Sequence, residues 1–401
     1  MTRARKNDLV LDGNEVMLRL RAERRHTSQA VHVDWVRFTV KLKRAPLPSV
    51  DDLFPLPVAT VADKLRLDRM REVLRSLPDP DFSASVQAKT LADQVCEALG
   101  PDFSVYPEVR KGHDFYKHRW SIVRNDVECG WVGFLASGNS PRQQAQASTI
   151  HANIYGTACT FAEHGFNHRL AKLVRSTEAT LTRIDLALDF FDGLKGGMDR
   201  VVSDYTAGLM DVSGNRPTCN QVGRWPLHRE RSFYFGSREA GKQTNVYEKG
   251  DQLFGWKAAN PWTRVELRYG NKLRVLDADM LNRPADYFAG ASDWHAQVLR
   301  EAEATFAAQP VPVKKKLAVE TVKAEVTRNV RWFRDTALAT AAMVFQHVGV
   351  DALANMLEGA QLPGRLQKFK PSEVRQTYEQ VFRDLSRSGT GRPGMSAYQA
   401  A

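Results

Sequence analysis

The chain has 401 residues, 43% hydrophobic and 26% charged, which is enough for two or three domains with an ordinary buried core. Its formal charge of +11 and sequence pI near 9.5 suit a polyanionic partner, of which nucleic acid is the usual one. No apolar run approaches the ~20 residues of a membrane span, the N-terminus has no apolar leader, and Cys96, Cys129, Cys159 and Cys219 are too scattered for a zinc finger or a disulfide framework, so membrane, secreted and zinc-finger classes fall away and a cytoplasmic location is expected.

Residues 1–30 are polar and arginine-rich (Arg19, Arg21, Arg24, Arg25) and read as a basic flexible arm, either touching phosphate or without a role. The run VHVDWVRFTVKL at 31–42 alternates and is rich in β-branched and aromatic residues, so it predicts the first strand. Helical patterns follow at 58–77 and 85–99. Two strands at 116–123 and 127–135 meet at Asn125-Asp126, a hairpin signal. ASTIHANIYGTACTF at 147–161 is a further strand candidate, with His151, Asn153 and Tyr155 on one face, and a helical pattern covers 168–177. Residues 204–225 are rich in glycine and asparagine and read as a long loop. SFYFGS and QTNVYEK, joined by REAGK, form a hairpin, and WTRVELRY at 262–269 is one more strand. Helical patterns then occupy 293–308, 317–347, 350–358 and 372–385, with a proline- and lysine-rich linker at 310–316. The expected architecture is α+β: an antiparallel β-sheet core with flanking helices over 31–290, a helical C-terminal region over 291–388, and a disordered tail at 389–401.

Three of these strands carry chemistry. LTRIDLALDFFD at 181–192 puts Arg183, Asp185, Ala187 and Asp189 on one face and Ile184, Leu186, Leu188 and Phe190 on the other. Asp185 and Asp189 lie about 13 Å apart on a straight strand, so they cannot share one ion without a bend. TNVYEKG adds Tyr247 and Lys249, and WTRVELRY adds Glu266 between Arg264 and Arg268. Carboxylates without a Cys or His cluster suit a hard cation, Mg2+ or Mn2+. A tyrosine beside such an ion can attack a phosphodiester once its phenol, with a pKa of about 10, is activated. Each residue also has a plain reading: a packed strand tyrosine, a solvated lysine, a salt-bridge ladder around Glu266. Tyr234 and Tyr155 are the competing tyrosines, and His151 is either an added ligand or a polar strand residue.

TRIDLALDFFDG, DYTAGLMDVSGNRPTCNQVGRW, SFYFGSREAGKQTNVYEKGDQL and WTRVELRYGNK, in that order, resemble the replication initiation factor family, the rolling-circle initiators of filamentous phages and prophages and, more distantly, of rolling-circle plasmids. VDWVRFTV and STIHANIYGTAC resemble its N-terminal strands, so the resemblance spans roughly 31–288. It implies a DNA-nicking and strand-transferring endonuclease that cuts one origin strand, stays on the 5′ phosphate through tyrosine, and leaves a 3′ hydroxyl as primer. It puts Tyr247 at the nucleophile, and Asp185 and Glu266, with Asp189 in the same motif, at the metal positions; Lys249, two residues after Tyr247, is read from its charge as a catalytic residue that stabilises the phenolate or the phosphate. Implied partners are origin DNA and, because no P-loop motif is present, a separate host helicase as well as host polymerase; a homodimer is compatible. A non-catalytic DNA-binding regulator, and a relaxase or transposase using the same chemistry, are the alternatives.

Overall fold

The computed structural model describes residues 13–27, 29–48, 60–76, 83–212, 214–303, 308–314, 318–358, 360–361, 363–364, 366–367 and 369–388. The chain forms two compact units, 1–314 and 315–401.

The first unit is built on one antiparallel sheet. Its strands are β1 (Val31–Lys41), β2 (Ser104–Val105), β3 (Arg110–Lys111), β4 (Tyr116–Arg124), β5 (Val127–Ala136), β6 (Thr149–Ile154), β7 (Thr180–Phe190), β8 (Cys219–Arg224), β9 (Arg229–Ser237), β10 (Lys242–Glu248) and β11 (Thr263–Gly270). They pair in the order β2-β4-β5-β6-β1-β7-β11-β10-β9-β8, with β3 also on β4. The two strands richest in alternating apolar residues, β1 and β7, are adjacent at the centre. Val36, Phe38, Ile184, Leu186 and Val265 point to one face and are buried with Leu91 and Val95 of the helix Ala84–Leu99, Leu170 and Val174 of Phe166–Ser176, and Val298 and Leu299 of Asp293–Ala302. That burial is the driving force for covering this face with helices. The β4–β5 turn follows its sequence signal: Asn125 and Asp126 both adopt positive φ, 50° and 61°, the pair of left-handed residues a two-residue hairpin needs.

Several elements differ from expectation. Gly13–Thr27 is a helix rather than part of a flexible arm; residues 1–12 lie outside the described residues. Val16 and Leu20, one turn apart, pack on Trp262, and the arginines tie the helix down: Arg19 donates to the Ala162 carbonyl at 2.6 Å and Arg24 to those of Asp189 and Ala302. The stripe is two residues wide, too narrow to read among charges. Only Thr149–Ile154 of 147–161 is strand; Gly156–Phe161 turns into a helix. The loop at 204–225 contains the end of the helix Gly197–Thr206 and the strand β8. The first unit reaches 314 rather than 290, because Trp294, Val298 and Leu299 belong to the sheet's core.

The second unit has helices Ala318–Trp332, Leu338–Val348, Val350–Leu357 and Pro371–Ser388. Val322, Val326 and Val330, spaced by four, meet Leu366, Val374 and Val381 in a small core. The expected tail, 389–401, lies outside the described residues. Among the described residues no helix is long and apolar enough to cross a membrane.

Candidate active site

The face of the sheet opposite the helical layer carries charge. Alternation in β10 buries Thr244 and Val246 on the core side and turns Asn245 and Tyr247 the other way. Register then fixes the neighbours. Tyr247 stands opposite Arg264 on β11, and Arg264 opposite Asp189 on β7. Asn245 stands opposite Glu266, Glu266 opposite Ala187, and Arg268 opposite Asp185. Tyr247, Glu266, Asp185 and Asp189 therefore share one face.

The Tyr247 hydroxyl donates to Glu266 Oε2 at 3.4 Å. Lys249 is not on the strand: it opens the helix Lys249–Phe254, with Nζ 5.6 Å from the Tyr247 ring centre and donating to Gln252 Oε1 at 2.9 Å. Tyr247, Glu266 and Arg268 line a polar cavity of about 520 Å3, and Tyr234 lines the same cavity. Tyr155 lies elsewhere, its ring tilted 39° against that of Trp35 at 4.9 Å and its hydroxyl 3.5 Å from Glu128.

Arginines occupy both aspartates of β7. Arg264 grips Asp189 with two parallel bonds, Nε to Oδ1 at 2.7 Å and Nη2 to Oδ2 at 2.9 Å, and Trp262 Nε1 donates to Oδ1 at 2.6 Å. Its remaining Nη1 donates to Asp34 Oδ1 at 2.7 Å. Asp185 accepts from Arg183 Nε at 2.9 Å, from Arg183 Nη2, and from Arg268 Nε at 3.2–3.3 Å. Such charge-assisted forks are the stronger class of hydrogen bond, and the buried carboxylates depend on them.

Electrostatics follow from this wiring. Burial works against the charged forms of Asp34 and Asp189, but Arg264, helped by His32, overrides it and holds both carboxyls below their usual range. Glu266 has no such fork. Burial, then repulsion from Asp34 and Asp185, pushes its carboxyl up to about 7. Burial raises the Tyr247 phenol well above its ordinary value, against the pull of Arg264. Burial and Arg264 bring Lys249 down to about 8.

The same wiring tests a metal. All four oxygens of Asp185 and Asp189 are taken up by arginine and tryptophan donors, so these two are not open ligands as they stand. Among the described residues no group of three or more His, Cys, Asp or Glu is set to hold an ion. Glu266, bonded only at 3.4 Å, and Asp34, whose Arg264 and His32 contacts both go to Oδ1, repel each other. Two carboxylates fit magnesium, which commonly takes one or two from protein and fills its shell with substrate phosphate and water.

His151 is packed among side chains of β1, β4 and β5. It is buried between Tyr116 and Trp131, shares a 2.8 Å hydrogen bond with Thr39, and burial with nearby Arg37 brings its pKa down to about 4. Unfolded, the ring titrates near 6.5. The native state therefore gains stability from neutral His151 above pH 6.5 and loses it as pH falls toward 4. Urea unfolding at pH 7.5 and 4.5 is expected to show His151→Gln sparing about 2–3 kcal/mol of the loss suffered by the parent; equal losses would remove this role.

Asp34 has no place in the sequence reading, yet it is central. It is the extra residue of a β-bulge: β1 pairs with β7 through Val33 and then Trp35, leaving Asp34 turned to the charged face. A Cβ on Gly156 would come within 2.9 Å of the Asp34 carbonyl oxygen, so the following helix can start against the bulge because that residue is glycine. A signal exists in the sequence: Val31 and Val33 alternate in one phase, Val36, Phe38 and Val40 in the other.

Residues 179–357 match the family described as replication initiation factor, a span that includes Asp185, Asp189, Tyr247, Lys249 and Glu266. Among solved structures, the chain is similar to a rolling circle replication initiator protein from Geobacillus stearothermophilus, at 16% identity and a TM-score of 0.37, over 60% of this chain and 74% of that one. No curated protein matches the chain.

Proposed function

We propose that this chain, which belongs to the replication initiation factor family through residues 179–357, starts rolling-circle replication by nicking one strand of its origin with Tyr247. The observation that carries this reading is the Tyr247 hydroxyl on the charged face of the sheet, hydrogen-bonded to Glu266, inside a polar cavity. In the proposed reaction the phenolic oxygen bonds to phosphorus while the bond from phosphorus to the 3′ oxygen breaks. The products are a 5′-phosphotyrosine and a free 3′ hydroxyl, and reversal rejoins the strand. Glu266 orients the phenol and is the nearest acceptor for its proton. Lys249 and Arg264, the cations beside the ring, stabilise the phenolate. A Mg2+ or Mn2+ ion belongs to the proposal, held by Glu266 and Asp34 rather than by Asp185 and Asp189, whose oxygens the arginines occupy. When bound it supplies Lewis-acid stabilisation of charge on the phosphate. Host helicase and polymerase would extend the released end.

Incubation with supercoiled plasmid bearing the replicon's own origin and manganese, followed by denaturing electrophoresis, is expected to show a protein–DNA band that EDTA prevents. Binding without that band would favour a second reading, a DNA-binding regulator, for which the burial of the Tyr247 ring is the supporting observation.

A further inference from the structure

The second unit carries a surface that its own core does not use. Its helices Leu338–Val348 and Val350–Leu357 meet at Gly349, whose φ of 87° ends one helix and lets the next begin. We infer that this helix pair is a docking surface for the same helix pair of a second copy of the chain, so that two copies associate through their second units in one four-helix layer.

Composition comes first. Fourteen of the twenty residues 338–357 are apolar, none is lysine or arginine, and Asp351 is the one carboxylate. Helices this apolar ordinarily belong to a core. Here none of the twenty residues is buried, and only Ala341, Val344, Ala352 and Leu353 are partly so. The small core of the unit is built instead from Val322, Val326 and Val330 with Leu366, Val374 and Val381.

Area comes second. Met343, Phe345, Val348, Val350, Met356 and Leu357 are each 53–72% exposed. Six such side chains offer on the order of 700 Å2 per copy, against ~800 Å2 per partner in a stable interface of standard size. Exposed Ala339, Ala342 and Ala354 add to that surface. An apolar patch of this extent is more than a monomer ordinarily leaves to water, and it marks an interaction site.

Charge and length decide the occupant. The chain carries +11 overall, yet residues 338–357 hold no lysine or arginine, so they offer nothing to nucleic acid or to an anionic membrane. A two-fold contact sets one surface against itself. Like-charge repulsion penalises that arrangement for a charged patch and leaves an apolar one unopposed. The two helices, of 11 and 8 residues, are about 16 and 12 Å long, too short to enclose a core by themselves. Two such pairs stacked face to face enclose one, as four-helix arrangements do.

The test is sedimentation velocity of the full chain, without DNA or divalent ion. The parent is expected to pass from 45.1 kDa to twice that mass as its concentration rises from about 0.1 to about 50 µM. Phe345→Glu and Met356→Glu are each expected to weaken association at least about tenfold. Leu227→Glu, at a comparably exposed apolar residue of the first unit, is expected to leave it within about twofold. Circular dichroism checks that the variants are folded. Hydrogen exchange in the parent gives a readout that needs no variant: protection of residues 338–357 is expected to rise with protein concentration. A parent that stays monomeric at every concentration leaves the surface to another occupant and overturns the inference. So does a dimer that both glutamate variants leave intact, or one whose formation leaves exchange in 338–357 unchanged. No step of the test involves cleavage, so its outcome is independent of the nicking assigned to Tyr247.

Discussion

Tyr247→Phe is expected to abolish the covalent protein–DNA band and lower origin nicking at least about ten-thousandfold, while DNA binding stays within a few-fold of the parent. The substitution removes one oxygen and a single 3.4 Å hydrogen bond to Glu266, so its effect on stability should stay within about 1 kcal/mol. Loss of nicking would then report chemistry rather than unfolding. The sharp control is Tyr234→Phe. Tyr234 stands opposite Asn245 on β9 and lines the same cavity, but Tyr247 is the tyrosine hydrogen-bonded to Glu266 and beside Arg264 and Lys249. An active Tyr247→Phe protein together with an inactive Tyr234→Phe protein would transfer the nucleophile to β9.

The second large effect concerns Arg264. It is 2% exposed and bridges Asp189 and Asp34 with three hydrogen bonds of 2.7–2.9 Å. Arg264→Met strands two buried carboxylates, and removing one member of a buried charge group typically costs about 3–5 kcal/mol because the remaining charges lose their compensation. Urea unfolding followed by tryptophan fluorescence should register this directly, since Trp262 donates to Asp189. Adding Asp34→Asn and Asp189→Asn to the same protein should restore much of the loss, because neutral amides no longer demand a cation. A cost below about 1 kcal/mol for Arg264→Met would mean that water or a bound cation already serves these carboxylates. The expected effect is twofold, since Arg264 also opposes the burial that raises the Tyr247 phenol.

Much of the sheet was legible because its strands alternate. Ile184, Leu186 and Leu188 declare one face of β7 apolar, and the two-residue period then puts Asp185 and Asp189 together on the other. The hairpin of β9 and β10 and the strand β11 were legible for the same reason. The N-terminal helix was not, because its packing rests on Val16, Leu20 and arginine contacts with distant carbonyls. Nor was the limit of the first unit, because the amphipathic pattern of Asp293–Ala302 is the same whichever core it serves.

The candidate site divides along the same line. Local pattern alone determined that a tyrosine and three carboxylates sit on polar strand faces, because side-chain direction in a strand depends only on its own alternation; it missed that Lys249 lies past the strand's end, at the start of a helix. Which carboxylate meets which cation was decided by tertiary structure: Arg264 lies 75 residues from Asp189 and 230 from Asp34, and a register shift of one residue would exchange their partners. The bulge at Asp34 and the burial that leaves Glu266 without a fork are likewise products of the assembled sheet. Electrostatic roles follow from distance and dielectric, and neither exists until the strands have paired.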